Sequence, residues 1–578
     1  MALLAQIAAE VSAVRIRRRE VPDTSHWPSH IHPVLRRVYA ARGIADASEV
    51  QTKLGALLTP HTLGGLDAAI AVLCDAIERN LRICIVGDFD ADGATGTAVA
   101  VRGLRMLGAR NVDFRVPHRL VHGYGLSPAL VADLMDDKPD VIVTVDNGVA
   151  SLAGVAAARA AGMRVIVTDH HLPGPQLPDC DALVNPNLAG DAFPSKALAG
   201  VGVMFYLLLA LRAHLRGQGA YASTPEPDLT TLLDLVALGT VADLVPLDAN
   251  NRILVAAGLR RLRAGRGQAG LQALIQVSGR RADKLDAADL GFALGPRLNA
   301  AGRLEDMAIG IQCLLCDDFD EARELASMLD SINRERRDVQ AKMVEDAQAL
   351  VPDVDAGNAS AVCVFAEHWH PGVVGLVASK LKEKLHRPSI AFAPGGDDGL
   401  LRGSARSIPG FHIRDALADI AARHPTLIER FGGHAMAAGL SLAPEKLEAF
   451  HRAFLEHAAA RLDASTLRAE LLTDGALHPD DMTRELAELL REAGPWGQGF
   501  PEPVFDDEFQ VESWRRVGHD HLKLQLRHAQ ASAPIDAIWF GGWQDEAPPP
   551  RVHAAYQLKP DDFRDRGGVQ LLIQWLRG

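Results

Sequence analysis

The sequence predicts a multidomain α/β protein built on a doubly wound parallel sheet, and three observations carry that reading. The chain has 578 residues, more than one hydrophobic core accommodates, so three or four domains are expected. From about Arg82, short β-rich apolar runs alternate with helix-like segments, the pattern of parallel strands joined by crossover helices. Three of these runs, Arg82–Gly87, Val141–Val145 and Arg164–Thr168, end in Asp88-Phe89-Asp90-Ala91-Asp92-Gly93, Asp146-Asn147-Gly148 and Asp169-His170-His171. Ligand sites in open parallel sheets form beyond the carboxyl ends of the strands, so these acids and imidazoles are expected to converge at one edge. Clustered carboxylates are costly unless cations neutralise them, which points to a site for two divalent metals.

Taken in order, residues 1–75 read as a mostly helical lead-in, with Arg15, Arg17, Arg18 and Arg19 on a solvated helix face. The run ICIVG leads into a helix near Thr95–Leu107 and the strand Val112–Val116. A helix at Pro128–Met135 precedes VIVTV, and the alanine-rich helix Leu152–Ala161 precedes VIVT. A helical stretch, Leu232–Ala242, delivers Asp243, and Gly295–Leu304 (GPRLNAAGRL) and a long charged helix near Asp320–Leu350 follow. A second α/β unit runs from about Ala361 to Leu462. Beyond Ala464, EAGPWGQGFPEPVF opens a region of alternating strands such as HLKLQLRH, expected to form a small antiparallel barrel or sandwich, with an oligonucleotide-binding (OB) barrel among the candidates. The expected boundaries are 1–75 for the lead-in, 76–315 for the catalytic domain and 316–355 for the connecting helix. The second α/β domain is expected at 356–463 and the barrel at 464–578.

Composition narrows the class. Hydrophobic residues at 48% and charged residues at 23% argue against wholesale disorder. The apolar stretch Leu198–Leu211 is too short to span a bilayer. The N-terminus has no cationic start before its apolar residues and does not read as a secretory signal, so a cytoplasmic location is expected. Six cysteines do not suggest a disulfide framework, and the lone Cys313-x-x-Cys316 is expected to be buried packing. The net charge of −13 does not exclude a nucleic-acid substrate, because metals would consume several acids and a basic channel can be local.

The chemistry-bearing residues have rival readings. Asp88, Asp90 and Asp92 have the spacing of a calcium loop, but such a loop needs further oxygen ligands and a closing Glu, and Ala94–Gly108 reads instead as an apolar helix. A lone strand-end Asp is usually a helix cap. The agreement of Asp146 with two other strand ends overturns that, and its two oxygens suit it to bridge two ions. The mixed O/N donor set without thiolate favours Mn²⁺ or Mg²⁺ over structural zinc. One of His170 and His171 would ligate, its neighbour would face the substrate phosphate or leaving oxygen, and Asp169 would orient them rather than ligate.

Six segments, GDFDADGATGTA, VPHRLVHGYGL, TVDNGV, VTDHH, VALGTVADLVPL and GPRLNAAGRL, resemble the DHH phosphoesterase family. HPGVVGLVASKL, GSARSIPGFHI and FGGHAMAAGL resemble its DHHA1 domain, and PWGQGFPEPVF resembles the approach to the terminal barrel of the family's single-strand-specific exonucleases. The resemblance implies a DHH domain, a long connecting helix, a DHHA1 domain and an OB-like barrel. It implies Asp90, Asp92, Asp146, His170 and Asp243 as metal ligands, with Asp146 bridging and Asp88 joining them. Some relatives carry a ligating His where this chain has Val86. It also implies that Arg119, Arg297, Asn299, Arg303, Ser404 and Arg406 hold the nucleic acid, with Ser404 and Arg406 gripping a 5′-terminal phosphate and His434 lining the same cleft.

The activity so implied is 5′→3′ exonucleolytic digestion of single-stranded DNA to 5′-mononucleotides by two-metal hydrolysis, in DNA repair and recombination, with His171, Asp146 and Asp169 in catalytic roles. A narrow passage between the two α/β lobes would exclude a duplex, and Trp514, Trp539 and Trp543 are candidates for base stacking or for core packing. A single-strand-binding protein and a RecQ-type helicase are the partners implied, with no membrane. Two rivals are a phosphodiesterase of short oligoribonucleotides or cyclic dinucleotides, which would usually lack the terminal barrel, and a non-catalytic replication scaffold, which would have lost metal ligands.

Overall fold

The structure, a computed structural model, describes residues 14–119, 121–351, 359–396, 398–543, 546–562 and 567–578. The expectation placed on Met1–Ala13 lies outside the described residues. The first strands are β1 (Arg15–Arg18), β2 (Ile83–Gly87), β3 (Val112–Arg115), β4 (Val141–Val145), β5 (Arg164–Thr168) and β6 (Ala182–Val184). Next come β7 (Val362–Phe365), β8 (Ser389–Pro394), β9 (Leu401–Arg406), β10 (Arg430–Gly433), β11 (Ala437–Leu442) and β12 (Glu470–Thr473). The last are β13 (Phe505–Val517), β14 (His521–His528), β15 (Ile535–Trp539), β16 (Arg551–Pro560) and β17 (Val569–Arg577). The chain divides into two compact units: 18–332 with 473–578, and 333–472 with the residues through Arg17.

The first unit is built on a parallel sheet of order β3-β2-β4-β5-β6. Successive side chains of a strand point to opposite faces. Ile83 and Ile85 accordingly pack with the helices Leu66–Glu78, Ala91–Met106 and Gly200–Gly217. Cys84 and Val86 pack with the helices Pro128–Leu134 and Leu152–Ala160. Both faces are covered, which is why the strands read as unbroken apolar runs rather than alternating ones. The chain starts at β2, crosses to β3 on one side and then to β4 on the other. The crevice at such a reversal opens beyond the carboxyl ends of β2 and β4.

The same unit carries a closed barrel of order β13-β14-β15-β17-β16, in which β15 and β17 run parallel and the other neighbours antiparallel. Strict alternation along β14 sends Leu522, Leu524 and Leu526 inward. Trp27, Tyr39, Phe500 and Trp496 stack into one aromatic column that ties the lead-in to the approach of the barrel. Beside it, Arg42 grips both carboxylate oxygens of Asp474 at 2.7 and 3.0 Å, with both side chains about 1% exposed.

The 31-residue helix Phe319–Ala349 carries the chain into the second unit. Its sheet has the order β10-β11-β9-β8-β7, with β7 and β8 parallel and the rest antiparallel. Along β9, Leu401, Gly403 and Ala405 are buried, while Arg402, Ser404 and Arg406 share the opposite, half-buried face.

One sequence expectation fails here. Arg15–Arg18 do not lie on a helix but form β1, which pairs with β12 and is bracketed by the bonds Arg15 N–H to Ala469 O and Arg19 N–H to Thr473 O, both 2.8 Å. The extended chain aims three consecutive arginines at separate acids: Arg17 at Glu470 (3.1 Å), Arg18 at Asp506 (2.9 Å) and Arg19 at Asp474 (3.9 Å). Cys313 packs in the core, with Cys316 just past the end of the helix Ala308–Leu315. No single described helix is long and apolar enough to cross a membrane.

Two stability measurements follow. Arg42→Met leaves the buried Asp474 with only the more distant Arg19 and the Val504 N–H, so unfolding of the full chain in urea should show a loss of about 3 kcal/mol, and Arg42→Met/Asp474→Leu should recover part of it. Burial pushes Asp506 up, but hydrogen bonds from Arg18, Thr473 and His553 outweigh it and hold the carboxyl below its ordinary value. That contribution is complete above the ordinary carboxylate value and is lost as pH falls through the lowered one. Asp506→Asn should therefore flatten the acid limb of a stability-versus-pH curve.

Candidate metal centre

The acidic loop after β2 is fixed by backbone donors. Asp90 caps the helix Ala91–Met106, its Oδ1 accepting the N–H groups of Asp92 (2.9 Å) and Gly93 (3.0 Å). Asp92, buried in the first turn, accepts the Gly200 N–H (2.6 Å) and the Val201 N–H (3.0 Å) at the N-terminus of the helix Gly200–Gly217. That helix end comes so close that a Cβ on Gly200 would lie 2.4 Å from the Asp146 Cβ. Asn299 accepts the Ala91 N–H (2.8 Å), so the helix Gly295–Leu304 braces the loop from outside.

Asp146, at the end of β4, has a left-handed backbone, φ +64°. Asp is one of the few residues that visit this region, and it still pays a strain cost there. Its N–H donates to Thr168 O at 3.1 Å, and Asn147 Nδ2 donates to Val86 O (3.0 Å) and Val145 O (2.9 Å), binding the ends of β2 and β4 together. Val86 points into the core beside Leu126, Leu130 and Val155, on the covered face of the sheet.

After β5, Asp169 is saturated. Its Oδ2 accepts the Val149 N–H (2.8 Å), while its Oδ1 accepts the N–H groups of His170 (2.8 Å) and His171 (3.1 Å) and faces His171 Nδ1 at 2.8 Å. Burial pushes Asp169 up, but these bonds outweigh it and hold the carboxyl below its usual value. Burial pushes His171 down, and its bond to Asp169 more than restores it. Asn185 and Asn187 donate to the carbonyls of His171 (2.8 Å) and His170 (2.6 Å).

These segments and Asp243, which ends the helix Leu233–Ala242, bring three overlapping sets of donor atoms together. The sets are Asp88, Asp90 and Asp146; Asp92, His170 and Asp243; and Asp146, His170 and His171, with the atoms of each within 4.8 Å of one another. Asp146 and His170 each belong to two sets. Asp146 Oδ1 lies 3.0 Å from His170 Nε2, and Asp243 Oδ2 lies 3.5 Å from it. Burial first, and then the neighbouring carboxylates, push Asp88, Asp146 and Asp243 well above the usual range and Asp92 to about 7. The Oδ1 of Asp88 is buried without a hydrogen-bond partner among the described residues. Oxygen donors with one or two imidazoles, mutually repelling and without a cationic side chain among them, fit two small hard divalent cations.

The remaining expected residues divide. Arg119 stacks its guanidinium 3.9 Å from the centre of the Phe89 ring and bonds Gly302 O; burial lowers its pKa, with Asp88 and Asp90 opposing. Arg297 departs from the expectation: its Nε and Nη2 bind Asp330 at 2.9 and 2.8 Å and its Nη1 binds Ala293 O at 2.5 Å, so its fork is spent inside the fold. Asn299 likewise spends its carbonyl oxygen on the acidic loop. Arg303 sits in the last turn of its helix. Tyr124, in the quoted HGYG segment, was not selected from the sequence, yet its hydroxyl donates to the Asp146 carbonyl at 3.0 Å. A cavity of about 560 Å³, lined by Leu244, Phe292 and Trp496 among others, contains none of the clustered acids.

In the second unit, Ser404 and Arg406 adjoin the first turn of the helix Val374–Leu385. A Cβ on Gly375 would lie 3.0 Å from Arg406 Nη2 and 3.5 Å from Ser404 Oγ. Burial alone lowers the Arg406 pKa, and no ion pair with a described carboxylate offsets it. His434 lies in the β10–β11 turn, its N–H bonded to Ala437 O at 2.7 Å. On the barrel, Trp514 is 41% exposed and stacks on Trp543, with Arg516 over that ring, while Trp539 and Trp543 both pack against the core.

Comparison with known proteins agrees with this architecture. Residues 82–240 match the DHH family N-terminal domain, residues 358–460 the DHHA1 domain and residues 473–574 the RecJ OB domain. The single-stranded-DNA-specific exonuclease RecJ of Dickeya dadantii is 50% identical over 97% of this chain and 99% of its own. That of Escherichia coli is 48% identical over 97% and 98%. A crystal structure of Thermus thermophilus RecJ in complex with Mn²⁺ superposes with a TM-score of 0.81 at 31% identity, covering 98% of this chain and 80% of that one. With the acid and histidine segments at the strand ends of the first unit and a barrel of the matching kind, the chain belongs to the RecJ family of DHH phosphoesterases.

Proposed function

We propose that this protein is a single-stranded-DNA-specific 5′→3′ exonuclease releasing 5′-mononucleotides by two-metal hydrolysis, acting in the cytoplasm in DNA repair and recombination. The observation that carries the reading is the convergence of Asp88, Asp90, Asp92, Asp146, His170 and Asp243 at the reversal point of the sheet. In this reading the catalytic domain spans 76–315, with a lead-in at 1–75, a connecting helix at 316–355, a DHHA1 domain at 356–463 and the barrel domain at 464–578.

Two Mn²⁺ or Mg²⁺ ions would activate a water molecule and draw off charge from the scissile phosphate. The chain's own residues do the rest. Asp146, shared between two donor sets, fixes the spacing at which two cations would sit. Asp169 takes His171 Nδ1, so a contact from His171 to the phosphate or to the leaving oxygen is made through Nε2. Arg119, near Asp88 and Asp90, and Arg303 supply positive charge to the backbone of the strand.

Polarity rests on Ser404 and Arg406. A half-buried arginine without a paired acid, beside a helix N-terminus, is suited to a terminal phosphate. His434 lines the same site. The barrel's Trp514 and Trp543, with Arg516, provide an aromatic and cationic track of the kind that holds single strands without sequence preference. A single-strand-binding protein and a RecQ-type helicase are the partners proposed.

Four results are expected. Digestion of 5′- and 3′-labelled single strands should release label first from the 5′ end, with Mn²⁺ or Mg²⁺ required and chelator abolishing turnover; label released first from the 3′ end overturns the polarity. Arg406→Ala should raise KM for 5′-phosphorylated strands roughly 10- to 100-fold and leave 5′-hydroxyl strands little changed. Asp146→Asn should cut kcat on the order of a thousandfold while raising the melting temperature of the chelated protein, because it removes one of the repelling charges. The same repulsion gives the chelated wild type a sign with pH. Asp92, raised to about 7, stabilises fully below its unfolded value, and that share is lost as pH rises through about 7. Added Mn²⁺ should remove this decline in a thermal melt.

A further inference from the structure

Among the described residues of the loop after β3, the hydroxyl of Tyr124 reaches in to hold the backbone of Asp146, and its position is built with care. Gly123 and Gly125 on either side have φ +76° and +68°, left-handed conformations that turn the intervening residue inward. Gly125 is pinned as well: a Cβ there would lie 3.0 Å from Ser151 Oγ and 3.3 Å from Asn147 Oδ1. Tyr124 itself is 48% exposed, so its ring is not there to fill the core. Its hydroxyl nevertheless turns away from solvent. It donates to the Asp146 carbonyl at 3.0 Å and lies 3.4 and 3.3 Å from Nδ1 and Nε2 of His171. The ring stands edge-on to both His171, at 5.8 Å, and Phe89, at 6.0 Å, the ring that carries Arg119.

We infer that Tyr124 is a positioning residue: its hydroxyl locks the left-handed Asp146 peptide, and with it the shared carboxylate, while bracing the His171 ring beside both its nitrogens. Asp146 is the only clustered acid with a positive φ, and its backbone is held at the N–H by Thr168 O and at the carbonyl by Tyr124. Loss of the second restraint leaves a strained peptide free to relax, and the carboxylate moves with it. A half-exposed phenylalanine would supply the same ring, so the hydroxyl is the informative atom. The Gly-Tyr-Gly sequence is then a device for aiming one oxygen.

This rests on the exonuclease reading, and the test separates the two. In the full chain with Mn²⁺ and single-stranded DNA, Tyr124→Phe should lower kcat roughly tenfold, the worth of one hydrogen bond to the reacting constellation, with KM within about twofold of wild type. The same variant should need more Mn²⁺ for half-saturation, read by titration calorimetry without DNA, at an unchanged melting temperature. Tyr124→Ala, which also removes the ring, should lose more. Wild-type kcat and Mn²⁺ affinity in Tyr124→Phe overturn the proposal. So does a loss confined to KM, which would make the ring a stacking platform, or a fall in melting temperature that accounts for the lost activity. If wild type proves inactive on single strands, the exonuclease reading fails, and the calorimetric comparison still decides the role of Tyr124.

Discussion

Several carboxylates buried within one crevice repel one another, and the rest of the first unit is arranged around that repulsion. The parallel sheet contributes apolar burial on both faces, and the reversal of strand order opens the crevice in which the acids collect. Around them, the fold supplies mainly backbone hydrogen-bond donors, and Arg119, near Asp88 and Asp90, offsets the negative charge only in part. The Gly200 and Val201 N–H groups take Asp92, the Asp90 carboxylate serves its own helix, and Asp169 is satisfied by its neighbours. What remains uncompensated is a set of oxygen atoms spaced for cations. The raised carboxyl pKa values express the same imbalance.

Arginine has three different fates in this chain, and residue type alone does not separate them. Arg297 is fully occupied by Asp330 and a backbone carbonyl, Arg119 lies flat on Phe89, and Arg406 is enclosed without an acid. A guanidinium without a paired carboxylate is the one suited to hold an anion, so the ion-pair pattern separates an arginine committed to an internal acid from one that is not. Asn299 makes the same point, since its carbonyl oxygen holds the acidic loop rather than facing outward.

Much of the fold was legible because strand ends announce themselves: an apolar run stops, and an acid or a histidine follows. That signal alone assigns Asp88, Asp90, Asp92, Asp146, His170 and His171 to one edge of the sheet. Asp243 was different, because it arrives from the end of a helix and only its motif, not its spacing, tied it to the others. Tyr124, Asn185, Asn187 and Gly200 were missed since each acts on, or through, backbone atoms that leave no mark on residue pattern. The lead-in was misread for a related reason. Consecutive arginines suit a helix face as well as an extended ribbon, and the acids that decide the matter lie more than 400 positions away, as the 488-residue separation of Arg18 from Asp506 illustrates.

The aromatic column of Trp27, Tyr39, Trp496 and Phe500 bears on how this polypeptide is made. The unit holding the acids is interrupted in sequence and is completed only by residues 473–578. During translation the early segment must wait on the ribosome with Trp27 and Tyr39 lacking the partners that later cover them, while the intervening stretch is still being synthesised. A ribosome that stalls before Trp496 therefore leaves Tyr39 without the two rings that face it in the finished chain.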